Sequence, residues 1–185
     1  MALLASAVRV GITGEGYAAA VGTAAPTTSV SALDVLFIGM GYVSEEGITE
    51  SYDDTIEDII AWQNATIVRA VTTASKATLS LTLIESKGAT AKLYHKGSTV
   101  AVVSAGQWKM DVVAPTADPR AFVFDVIDGV KHLRIYVANG EVTERGEITY
   151  ANGEPIGFQV TITCYPNASN VILTKFTDDT NWGYS

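Results

Sequence analysis

The 185-residue chain has one cysteine, two histidines, five prolines and, in its first third, almost no positive charge. With Cys164 alone, neither an internal disulfide framework nor a multi-cysteine metal site can form, so stability must come from packing or from neighbouring chains. His95 and His132 each lack a second imidazole or a cysteine at metal-ligand spacing, which removes the common zinc patterns and leaves surface or cross-strand roles. No apolar run approaches the roughly 18 residues that a membrane-crossing helix needs. The opening, MALLASAVRVGITGEG, carries Arg9 inside its apolar stretch with no basic region ahead of it, which is unlike a secretory leader. Up to Thr66, Arg9 stands against nine acidic residues, whereas from Ile67 onward eleven basic residues balance eleven acidic ones. The whole formal charge of −8 therefore sits in the first third. A basic nucleic-acid recognition surface is excluded, because affinity for phosphates comes largely from cations that displace counterions.

A 48% hydrophobic composition suffices for one substantial core. Residues 18–32 are small, weakly polar and broken by Gly22 and Pro26, so residues 1–32 are expected to form an N-terminal arm. Residues 33–177 are then the β-sandwich body, and 178–185 a C-terminal tail. Leu33 to Ile38 reads as a short buried strand. Ile56, Ile59, Ile60 and Gln63 recur at helical spacing behind Asp53 and Asp54, which predicts an α-helix over about 53–63 with Ser51 as its N-cap. Leu79, Leu81 and Leu83 alternate with Thr78, Ser80 and Thr82, the pattern of a strand covered on one face. Further short strands are expected near Lys92, Val100, Met110 and Val171.

Two hairpins can be read to register. A two-residue turn at Asp128-Gly129 would oppose Asp125 with His132, Phe124 with Leu133 and Phe122 with Ile135. In the second hairpin the apolar residues are even-numbered on both strands, Val142 and Ile148 against Ile156, Phe158, Val160, Ile162 and Cys164. Opposing residues must therefore sum to an even number. A three-residue loop, Ala151-Asn152-Gly153, with Gly153 in the left-handed region and Tyr150 opposite Glu154, satisfies this. The predicted fold is mainly β, an antiparallel β-sandwich or flattened barrel with one flanking α-helix.

No catalytic, metal or cofactor constellation emerges. The glycines of VRVGITGEGYAAAVG do not follow the G-x-G-x-x-G order and lack a Lys-Ser/Thr, so they read as a flexible arm rather than a phosphate loop. The acids from Glu45 to Asp58 lack the calcium-loop spacing and read as a solvated face. Cys164 lies on an apolar strand row, as a small buried hydrophobe does. Trp62 and Trp108 are expected to pack in the core or at an edge, and Trp182 and Tyr184 to dock on a neighbouring copy.

The segments GMGYVSEEGITESYD, TIEDIIAWQ, ATIVRAVTT, SLTLIES, AFVFDVIDG and EVTERGEITYANGEPIGFQVTITCYP, in that order over residues 35–175, resemble the major tail proteins of long non-contractile phage tails, of the kind infecting actinobacteria. The resemblance implies a non-enzymatic virion subunit with no cofactor. Such subunits assemble in the host cytoplasm into stacked hexameric rings. Its implied partners are copies of itself, the tape-measure protein, and the tail terminator and tail-tip proteins. Double-stranded DNA would pass without specific binding, and no membrane is involved. Glu45, Glu46, Glu141, Thr143 and Glu147 are the lumen-lining candidates. Tyr42, Val43, Ile48, Trp182 and Tyr184 are the inter-subunit candidates, with the loop 39–51 and the N-terminal arm bridging rings. The alternative is another virion or tube-forming protein, such as a capsid decoration protein or a secretion-system tube subunit. An enzyme is the least supported class.

Overall fold

In the computed structural model, which describes residues 4–183, β-branched residues and period-two alternation decide nearly every element. In chain order these are β1 (Thr13–Ala20), β2 (Ile38–Gly39), β3 (Val43–Ile60), β4 (Ile67–Leu83), α1 (Gly88–Tyr94), β5 (Thr99–Ser104), β6 (Gln107–Asp111), β7 (Arg120–Asp128), β8 (Lys131–Arg145), β9 (Phe158–Cys164) and β10 (Thr174–Thr177). The fold is mainly β and antiparallel. Its large sheet runs β2-β1-β7-β8-β9-β4-β3 without closing into a barrel, and β5 and β6 form a separate hairpin.

The long strand β8 joins the two halves of this sheet. From Lys131 to Val137 it pairs with β7, with β10 on its other edge from Leu133 to Tyr136. From Gly140 onward its partner is β9. Gly140 sits at this handover because a Cβ there would come within 3.1 Å of both Ile162 and Phe122. One row of fully buried side chains, Leu79, Leu83, Val160 and Ile162, packs in a single cluster with Phe122, Phe124 and Val137. The helix α1 closes this core with Leu93 and Tyr94. The Tyr94 ring stands edge-on to Phe158 at 5.6 Å, and its hydroxyl donates to the Gly146 carbonyl at 2.5 Å.

The predicted helix over 53–63 is not formed. Residues 53–60 lie in β3 and 61–63 in the turn that follows it, and the α-helix is Gly88–Tyr94, where a strand near Lys92 was expected. Isoleucines at 56, 59 and 60 fit either period. The neighbouring Thr49, Tyr52 and Thr55 favour an extended chain, and β4 offers a partner rich in Val and Thr. Ser51 is accordingly a strand residue paired with Thr78 rather than an N-cap.

The expected arm 1–32 also changes, because residues 13–20 form β1, paired along their whole length with β7. Their small size reflects crowding rather than flexibility. A Cβ on Gly14 would meet the Asp125 carbonyl oxygen at 2.5 Å, and one on Gly16 would meet Met40 at 2.5 Å. Beyond β1 the chain folds back over the outer face of β7, where Leu33 and Phe37 pack with Ala19, Ala121 and Val123. Arg134 pins this cover. Only 6% exposed, it donates to Asp125 at 2.6 and 2.8 Å and to the Ser31 carbonyl at 2.6 Å.

The first hairpin turns one residue later than expected. Asp128 pairs with Lys131 across Gly129-Val130, and Gly129 has φ +61° as the first central residue, the place a II′ turn reserves for glycine. Phe124 therefore opposes Ile135, Phe122 opposes Val137 and Asp125 opposes Arg134, while His132 pairs with Asp178 at 3.0 Å. In the second hairpin Val142 opposes Ile162, the even-sum register. The pairing then slips by one between Val142 and Glu144, and residues 146–157 leave the sheet. Tyr150 and Glu154 thus form no ladder pair, although Gly153 does take a left-handed φ of +86°. Val171 lies outside β10, whereas Val100 and Met110 pair in the β5–β6 hairpin.

Candidate assembly surface

The most unusual feature is what β3 and β4 do beyond the core. β9 pairs with β4 only from Ala77 to Leu83, so residues 53–60 and 67–76 project as a two-stranded arm. At about 3.3 Å per residue, ten residues reach roughly 33 Å from the body. Among the described residues no strand lies beside either edge of this arm. One face of its β3 strand carries Tyr52, Ile56 and Ile60, all solvent-exposed and interleaved with Asp54 and Asp58, with Ile67 opposite Ile60. At the tip, Trp62 is 96% exposed, followed by Asn64 and Ala65 with positive φ. A lone hairpin in water is marginal, and several large apolar side chains exposed on one mark a surface awaiting a partner.

The arm is also electrically divided. Between Val43 and Ile60, β3 carries seven acidic residues and no basic one, whereas β4 from Ile67 to Lys76 carries Arg69 and Lys76 and no acid. Tyr52, at the arm's base, donates its hydroxyl to Glu50, which pushes the phenol up to about 12. Glu50 is held in turn by Lys175 of β10 at 2.8 Å.

On the solvent face of β4, β8 and β9, hydroxyls form a carpet. Ser80 bonds Thr161 at 3.1 Å and Thr143 bonds Thr163 at 2.7 Å. A shallow concavity on this face brings Glu46 and Glu147 together with Thr49, Thr82 and Gln159. Glu141 is not free in the same way. Lys96 approaches it at 2.7 Å, and this hydrogen bond holds its carboxyl below the usual range. Glu45 and Glu46 lie in a wide bulge where three extra β3 residues intervene between the pairs Val43–Leu83 and Ile48–Leu81.

Of the inter-subunit candidates, Tyr42 is 77% exposed and Trp182 is exposed, whereas Val43 and Ile48 are partly buried against the chain's own core. Tyr184 lies outside the described residues. The tail is docked within the subunit, since Arg9 donates to Asp179 at 2.6 Å and the His132 N–H donates to Asp178 at 2.8 Å. The Arg9 hydrogen bond lowers the Asp179 carboxyl to about 2. Trp108 and Val102, paired on one face of the β5–β6 hairpin, are exposed rather than packed. Trp62, expected to pack in the core or at an edge, is instead exposed at the tip, and the isoleucines expected on a helix face are exposed on a strand. Read at period two, Tyr52, Asp54, Ile56, Asp58 and Ile60 share one face, and the spacing of four between its apolar members is the signal that could have found them.

Among solved structures, a chain of the virion of a native gene transfer agent particle is similar at 9% identity and TM-score 0.41, covering 80% of this chain and 92% of that one. That similarity is too low to carry fold or function. No curated protein matches. A family model described as phage tail tube protein matches residues 1–184. An unpartnered two-stranded arm, a hydroxyl-lined sheet and this near-complete match agree: the chain belongs to the phage tail tube proteins, structural components of the virion tail that assemble with copies of themselves.

Proposed function

We propose that copies of this chain join into hexameric rings that stack as a tube, and that the β3–β4 arm is the joining element. The observation that carries this is the arm itself, with two unpaired edges, exposed large apolar side chains and opposite charge on its two strands. The basic β4 edge of one copy complements the acidic β3 edge of the next, and backbone groups on both are free to continue the sheet. Such a head-to-tail contact closes into a ring when its rotation allows. The six-fold count rests on the family resemblance.

The hydroxyl face with Thr143, Glu147 and Glu46 is the wall assigned to the lumen. Its carboxylates repel phosphate, so DNA slides without sticking after the tape-measure protein has left. Glu141 contributes less, being neutralised by Lys96. Terminator and tip proteins cap the two ends, and assembly takes place in the host cytoplasm.

The test is to delete Asp53–Lys76 and join Tyr52 to Ala77, which are paired in register, through Asn-Gly. The shortened chain should keep a cooperative melt yet stay monomeric by light scattering, while the full chain forms tubes in negative stain. Tubes from the shortened chain would refute the assignment.

A further inference from the structure

Asparagine followed by glycine is the pairing in which the main chain most readily attacks a side chain, because glycine has no Cβ to screen its nitrogen. The chain contains two such pairs, Asn139-Gly140 and Asn152-Gly153, and the fold treats them in opposite ways. The peptide itself is rigid, so attack needs rotation about the Asn Cα–C bond until the glycine nitrogen faces the side-chain carbonyl.

Asn139-Gly140 cannot make that rotation without breaking the sheet. The pair lies in β8, where Gly140 stands opposite both Arg120 of β7 and Cys164 of β9, and the Asn139 carbonyl accepts from the Tyr165 N–H at 2.8 Å. Gly140 is buried, crowded by Ile162 and Phe122. Asn152-Gly153 stands instead in the segment 146–157 that leaves the ladder, and residues 149–155 are all exposed. Chain neighbours apart, no atom lies within 4 Å of the point where a Cβ on Gly153 would stand. Among the described residues, no hydrogen bond holds the Asn152 side chain or the Gly153 N–H. This peptide can therefore rotate at the cost of a local opening only.

We propose that Asn152 is a self-modification site of the folded chain, while Asn139 is protected by its strand. The Gly153 nitrogen bonds to the Asn152 side-chain carbonyl carbon, the bond from that carbon to its NH2 breaks, and the NH2 leaves with the proton of the Gly153 nitrogen as ammonia. Water then opens the cyclic imide at either carbonyl. The product is aspartate or, where the main chain now runs through the side chain, isoaspartate. Either way a carboxylate is added to a loop that already carries Glu147 and Glu154. The loop lies outside β8 and β9, so the body keeps its ladder.

The native chain, Asn152→Gln and Gly153→Ala would be held in mildly alkaline buffer, each folded and in guanidinium, and followed by peptide mass mapping, ammonia release and enzymatic methylation of isoaspartate. In the folded native chain the peptide bearing Asn152 should exchange NH2 for OH at least about tenfold faster than the peptide bearing Asn139. Unfolding should bring the two rates within about threefold of each other, because the sheet no longer holds Asn139. Asn152→Gln should abolish the fast conversion, and Gly153→Ala should slow it about tenfold, since a Cβ then screens the nitrogen. Equal rates at the two asparagines in the folded chain would overturn the proposal. So would a folded chain in which Asn152 stays intact while both sites react in guanidinium.

Discussion

Replacing Ile56 and Ile60 together by threonine separates the stability of the subunit from the stability of the tube. Both side chains lie on the same face of β3 and both are exposed, Ile56 at 61%, so neither contributes to this chain's own core. Threonine keeps the β-branching that suits a strand, and the isolated subunit should change by no more than about 0.5 kcal/mol. Each substitution removes two carbons from a surface that becomes buried on assembly, at about 0.8 kcal/mol per group. The pair therefore costs about 3 kcal/mol per contact, roughly a 100-fold rise in the concentration at which tubes appear. Thermal denaturation under dilute conditions reads the first quantity, and sedimentation across a concentration series reads the second. A large fall in melting temperature would mean that the row is already covered within the subunit. An unchanged assembly threshold would mean that the arm does not join copies through this face.

Other substitutions probe the body. Arg134→Met should cost about 3–5 kcal/mol by chemical denaturation, because it strands the Asp125 carboxylate and frees the Ser31 carbonyl beneath the folded-back segment. Adding Asp125→Ala should recover part of that loss. Gly140→Ala should cost about 1–3 kcal/mol, since the new methyl meets Ile162 and Phe122 at 3.1 Å. The bond between Arg9 and Asp179 stabilises the folded chain fully above pH about 4, where a free carboxyl is ionised. As the pH drops through about 2, Asp179 takes up its proton and that stabilisation is lost. Trp182 fluorescence in a Trp62→Phe/Trp108→Phe background should follow this opening. Burial pushes the Cys164 thiol up to about 12, so alkylation at pH 8 should proceed only at the rate of unfolding.

The sequence by itself determined what depends on alternation along one strand. The leucine row of β4, the even-numbered row of β9 and the burial of Cys164 follow from period two and a single apolar face. So does the parity of the first hairpin, and of the second from Gly140 to Val142, because a slip of one residue there would have turned a buried row to solvent. The division of charge at Ile67 was equally legible, although its meaning was not, since only pairing shows that it runs between the two strands of one arm. The tertiary structure decided whatever rested on a partner. Ile56 to Ile60 satisfied a helix and a strand alike, and β4 settled the matter by supplying hydrogen bonds along the whole length. The small residues of β1 looked like an unstructured arm because the crowding that demands them comes from Asp125, Phe124 and Met40, distant in sequence. Likewise Arg134 took Asp125 from His132 because the turn could move by one residue pair without exposing either phenylalanine, a choice governed by the contacts of the far face rather than by the turn itself.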